Sequence, residues 1–153
     1  MKISEDRPEE GTGLELGRIL NKDLFLHLLD LEVKRARRYQ NFYCLLLLKI
    51  MPLSNHDDQN NVRVCFQTLT DLLVGEVRES DILGSLGKDR LVILLPYADV
   101  SAGGLAKSRL EGTLKYYDFE SKGYQIMVDQ ICFPINGTNV GELVSKALEK
   151  NPL

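Results

Sequence analysis

The longest apolar run in the chain covers residues 42–48 and stops at Lys49, with Ile50 beyond it. A run of that length without polar alternation predicts a strand over 42–50, buried on both faces. Upstream, Asn21 is a good N-cap and Asp23 falls in a first turn, where the helix dipole favours an acid. Leu24, Leu28 and Leu31, with Phe25, Leu29 and Val33, give the following helix a wide apolar face. It closes on Lys34, Arg35, Arg37 and Arg38, which suit an exposed C-terminus; phosphate binding is their alternative use. Residues 52–61 are polar and turn-rich. Val62, Phe66, Leu69, Leu73 and Val77 then recur at helical spacing and predict a helix over 62–77.

Two strand-like runs follow, 81–86 and 89–95, separated by Gly87-Lys88. Two residues with Gly first predict a hairpin with a type II′ turn, and Pro96 closes its second strand. Ser101 is the expected N-cap of a helix to about residue 116 that contains Leu105, Arg109 and Leu110. Gly103 and Gly104 weaken its first turn. A strand over 124–134, a turn at Asn136-Gly137, and a helix begun by Asn139 and Glu142 complete the chain to about residue 150. The order helix, strand, helix, hairpin, helix, strand, helix predicts an α/β (α+β) fold. It is a mixed sheet with helices on its faces, in which 45–48 and 92–95 are neighbouring central strands.

Composition narrows the classes. At 153 residues and 44% hydrophobic, the chain can bury a core as one domain, and disorder throughout is excluded. Residues 1–13 carry Pro8 and two glycines and read as a linker or tail from an upstream part of a longer protein, leaving 14–153 as the domain. The net charge of −3 argues against nucleic acid as a partner. No span of about 18 apolar residues occurs, so no membrane contact is expected. The polar N-terminus lacks a secretory signal. Cys44, Cys65 and Cys132 are odd in number, far apart and without CxxC spacing; they read as buried thiols of a reducing cytoplasm rather than a disulfide framework. With His27 and His56 they show no metal-ligand spacing. Gly103-Gly104 is too bare for a phosphate loop, and the Asn136-Gly-Thr138 sequon would go unused in the cytoplasm.

One set of residues is more specific. Arg78-Glu-Ser-Asp81 precedes Gly87-Lys-Asp-Arg-Leu91 and a Val-Ile-Leu-Leu-Pro strand. This series resembles the GGDEF (diguanylate cyclase) family. Asn21-Lys-Asp-Leu-Phe25, Arg35-Ala-Arg-Arg-Tyr39, Leu45–Leu48, Phe133-Pro134 with Asn136-Gly137, and Ala147-Leu148 agree with that family in order and spacing. Asp129 departs from it, standing where the family usually has a glycine. The resemblance spans roughly residues 14–150. It implies a nucleotidyl-cyclase-like palm: a mixed, mostly antiparallel sheet, helices on both faces, and a hairpin carrying the signature.

The departures bear on activity. The signature is degenerate here: Gly87, Lys88, Asp89, Arg90 and Leu91. The resemblance implies that the fourth position and the end of the first strand hold divalent metals through acids; this chain has Arg90 and Lys49 there. Hard cations need anionic oxygens to offset lost hydration, so no Mg²⁺, no catalytic residue and no cofactor are expected. The resemblance also implies a guanine-reading Asn and Asp in the loop after the first strand; that loop is shorter here and keeps no counterpart of either. Lys49 and Arg90 either hold phosphate in place of metal or are released from constraint, facing solvent or pairing with Asp89.

What the resemblance implies instead is ligand binding. The family's RxxD pair forms an inhibitory site for its product, cyclic di-GMP, and Arg78 and Asp81 fall on it; Arg109 falls where a further arginine joins them. An arginine fork matches guanine O6 and N7, and a carboxylate accepts from guanine N1–H and N2–H. The competing reading of Arg78 and Asp81 is a local ion pair of small worth. The expected function is therefore a catalytically inactive cyclic di-GMP receptor in bacterial signal transduction. The ligand would bind through Arg78, Asp81 and Arg109, singly or as a stacked pair bridging a homodimer, or would act on an upstream domain. The alternatives are a ligand-free interaction or dimerisation domain, and residual GTP binding through Lys49, Lys88 and Arg90.

Overall fold

The computed structural model describes residues 19–53 and 59–134. In chain order it has β1 (Ile19–Leu20), α1 (Lys22–Tyr39), β2 (Tyr43–Pro52), α2 (Gln59–Glu76), β3 (Ile82–Gly87) and β4 (Arg90–Pro96). These are followed by α3 (Val100–Tyr117), a 3-10 turn (Phe119–Lys122) and β5 (Tyr124–Phe133). The strands form one sheet in the order β1-β3-β4-β2-β5. Only β1 runs parallel to its neighbour; the other pairings are antiparallel. The sheet is thus mixed and mostly antiparallel, as expected. Leu45 and Leu94 are register partners, which makes β2 and β4 the neighbouring strands the apolar runs predict.

Alternation along β2 and β4 divides the core into two layers. Leu45, Leu47, Val92 and Leu94 face α1, against Phe25, Leu29 and Val33. Leu46, Leu48, Leu91 and Ile93 face the other way, against Leu69 and Leu73 of α2 and Leu110 and Leu114 of α3. A strand with helices on both sides has no solvent face, which is why residues 43–48 show no polar alternation.

Several local expectations shift. Asn21 caps α1 as read, accepting from the Leu24 amide at 2.9 Å. The buried stripe of α1, however, is Phe25, Leu29, Val33 and Ala36, while Leu24 and Leu31 lie nearly half exposed. The apolar face is wider than the strip the sheet can cover. Asp99, not Ser101, caps α3, taking the Ala102 amide at 2.8 Å. The hairpin loop is Lys88-Asp89 rather than Gly87-Lys88: a bulge between Ser85 and Gly87 advances the register so that Gly87 pairs with Arg90. Gly123 is the one glycine among the described residues with positive φ, so the type II′ turn with Gly87 leading does not form.

The cysteines need a larger correction. Cys44 and Cys132 are register partners on β2 and β5, and their sulfurs are joined as a disulfide; Cys65 alone stays a buried thiol. A separation of 88 residues hides an adjacency that strand register creates. The linker at 1–13, the turn at 136–137 and the final helix lie outside the described residues. Among those described, no helix is long and apolar enough to cross a membrane.

Candidate functional site

The hairpin and the neighbouring end of β2 gather the first group of charges. Lys49 and Arg90 are register partners, and the Ile50 amide donates to the Asp89 carbonyl at 2.8 Å, fastening the loop to β2. Lys49 Nζ lies 3.8 Å from Asp89 Oδ2, and Arg90 Nε lies 3.8 Å from Asp89 Oδ1. One carboxylate therefore sits between two cations. Arg90 Nε is buried and finds no hydrogen-bond partner. Desolvation, reinforced by the Arg90 charge, holds the Lys49 ammonium below the usual lysine range, with Asp89 acting in the opposite sense. Lys88 and Gly87 are exposed, while Leu91 is fully buried in the α2–α3 layer. Among the described residues no group of three metal-ligating side chains comes together.

The second group lies on the opposite face of the sheet. α2 ends at Glu76, so Arg78 belongs to the turn beyond the helix rather than to its last residues. The turn closes twice: the Asp81 amide donates to the Arg78 carbonyl at 3.0 Å, and the Arg78 amide donates to Asp81 Oδ2 at 2.9 Å. The aspartate thus holds the backbone of its partner, and the local ion pair does not form. Asp81 and Arg109 line one small open depression between α2, α3 and β4, whose apolar lining is the partly exposed Val77, Leu95 and Ala106 over the buried Leu73, Ile93 and Leu110. Arg78 stands exposed on the adjoining turn and is not part of that lining. Neither arginine takes part in an ion pair among the described residues. The expected trio is accordingly brought to one region, with two members in the cavity and the third at its edge.

Sequence reasoning misses Glu76, which also lines this cavity. A signal was available. Leu69 and Leu73 are fully buried, and position 76 continues their stripe with a carboxylate where an apolar side chain would be expected.

The family model described as diguanylate cyclase, GGDEF domain, matches residues 15–149. The chain belongs to the GGDEF family. No curated protein matches it. It is similar to the structure of a DGC protein from Thermotoga maritima at 17% identity, with a TM-score of 0.74, over 88% of this chain and 97% of that one. The FimX GGDEF domain from Pseudomonas aeruginosa is similar at 13% identity and a TM-score of 0.71, over 86% and 85% of the two chains. The GGDEF domain of DgcB from Caulobacter crescentus, solved in complex with c-di-GMP, is similar at 13% identity and a TM-score of 0.59, over 86% and 80%. These likenesses establish a shared fold.

Proposed function

We propose that this domain binds cyclic di-GMP without making it. The observation that carries the reading is the contrast between the two faces of the sheet. On one face, Lys49 and Arg90 occupy the positions where the family's metal-holding acids are expected, and both lie 3.8 Å from Asp89. That set does not suit a divalent cation. Two positive charges repel it, and Asp89, the carboxylate described beside them, already lies between them. No synthetic step is therefore assigned to these residues.

On the other face, Asp81 and Arg109 share a small open depression with an apolar floor of partly exposed side chains, and Arg78 stands beside it with no ion pair to any described residue. A planar purine suits such a floor, and arginine forks suit guanine O6 and N7 or phosphate oxygens through charge-assisted bonds. A ligand that binds the folded domain alone raises its melting temperature by mass action. Cyclic di-GMP is expected to do so in the unaltered chain and not in Arg109→Ala.

A second reading has its own observation. Leu105 and Tyr116 on α3 are 74% and 85% exposed, which favours a docking surface that needs no nucleotide. Absence of any melting shift at a large excess of cyclic di-GMP would leave that reading in place.

A further inference from the structure

Glu76 is the last residue of α2, three positions beyond the fully buried Leu73. A carboxylate there opposes the helix dipole, so helix stability gives no reason for it. It lines the same cavity as Arg109, yet it forms no ion pair or hydrogen bond among the described residues. Asp81, the other carboxylate of the cavity, has Oδ2 engaged by the Arg78 amide at 2.9 Å. Among the described residues, Glu76 is thus the acid of this depression with both oxygens unengaged.

From this we infer that Glu76 reads the Watson–Crick edge of a guanine, accepting from N1–H and N2–H with its two oxygens while the ring lies against the partly exposed Val77, Leu95 and Ala106. The inference rests on the cyclic di-GMP reading above. Guanine presents two adjacent donors on that edge, and a carboxylate is the side-chain group that accepts at two adjacent atoms. Hypoxanthine lacks the exocyclic N2 amine and offers one donor only. Arg109 is left to the O6 and N7 edge or to phosphate, and Asp81 is a positioning residue that shapes the Arg78 turn.

The test is calorimetric titration of the unaltered chain and of Glu76→Gln with cyclic di-GMP and with its inosine counterpart, cyclic di-IMP. Glutamine turns an N–H₂ donor toward one of the two guanine donors, and the exposed position tolerates the change without loss of fold. Glu76→Gln is expected to weaken cyclic di-GMP about tenfold, the worth of one charge-assisted hydrogen bond. Cyclic di-IMP should bind the unaltered chain more weakly than cyclic di-GMP and lose less than cyclic di-GMP does on the substitution. A purely electrostatic role has the opposite sign, because removing a negative charge strengthens both dianionic ligands. Equal or tighter binding of cyclic di-GMP by Glu76→Gln overturns the role of Glu76 alone. Failure of the unaltered chain to bind cyclic di-GMP overturns the functional reading and this inference together.

Discussion

Asp81 accepts a hydrogen bond from the main-chain amide of Arg78 at 2.9 Å, so the acid of the pair grips its partner's backbone, and the guanidinium forms no ion pair with any described residue. The two residues consequently have separable roles. Arg78→Ala should abolish cyclic di-GMP binding while changing stability by no more than about 0.5 kcal/mol, as for an exposed side chain. Asp81→Ala removes a turn-closing acceptor and should cost about 1 kcal/mol as well as binding. Urea midpoints of both variants check the split; equal destabilisation by the two would contradict it.

The charges at the hairpin make a second prediction. Asp89 lies between Lys49 and Arg90, which are register partners on β2 and β4. The double variant Lys49→Asp, Arg90→Glu would place three carboxylates at one end of the sheet, a set of anionic oxygens suited to Mg²⁺ or Mn²⁺. Millimolar Mg²⁺ should raise the melting temperature of that variant and leave the unaltered chain where it is. An equal rise in both would show that Lys49 and Arg90 do not exclude the metal.

Two glycines of α3 should respond in opposite directions. A Cβ at Gly103 would fall 2.6 Å from Cys44 Sγ and 2.6 Å from Gln130 Nε2, because the start of α3 lies directly on β2 and β5. Gly103→Ala should destabilise by about 1–3 kcal/mol through overpacking. Gly112, inside the same helix, has nothing within 4 Å of such a Cβ. Gly112→Ala should stabilise by up to about 1 kcal/mol through helix propensity. Denaturant midpoints measured side by side decide both.

Burial pushes the Cys65 thiol up to about 11, with Lys122 offsetting part of the effect. A thiol whose pKa is higher in the folded chain is deprotonated first in the unfolded chain. Its contribution to stability is therefore complete below the unfolded value near 9 and is lost as the pH rises toward 11. Between pH 8 and pH 11 the unaltered chain should lose more stability than Cys65→Ala. Parallel slopes in the two chains would contradict the shift.

The layered core was legible in the sequence because burial leaves a strong pattern. The unbroken run at 43–48 could only be a strand covered on both sides, and the 3–4 residue spacing of Leu69 and Leu73 could only serve a helix lying on it. Choices among near-equivalent neighbours were not legible. Asp99 and Ser101 are both good caps, and tertiary contacts of α3 with Cys44 and Gln130 favour the earlier start. Gly87-Lys88 and Lys88-Asp89 differ by one residue, and a bulge at Ser85–Gly87 decides between them. β1, two residues long, carries too little pattern to be seen. The Cys44–Cys132 pair depends on the register of β2 with β5, a long-range property. Within the candidate site, motif spacing was enough to single out Arg78, Asp81 and Arg109. Glu76 belongs to no motif, and only the cavity reveals it.

The most direct measurement is a calorimetric titration of the unaltered chain with cyclic di-GMP, run beside one with GTP and Mg²⁺. Cyclic di-GMP binding without catalysis predicts saturable heat at micromolar ligand or tighter for cyclic di-GMP, and none for GTP with Mg²⁺. Heat from GTP with Mg²⁺ together with none from cyclic di-GMP would contradict it: the face holding Lys49 and Arg90 would then be the working one, and the cavity beside Arg109 would have no ligand.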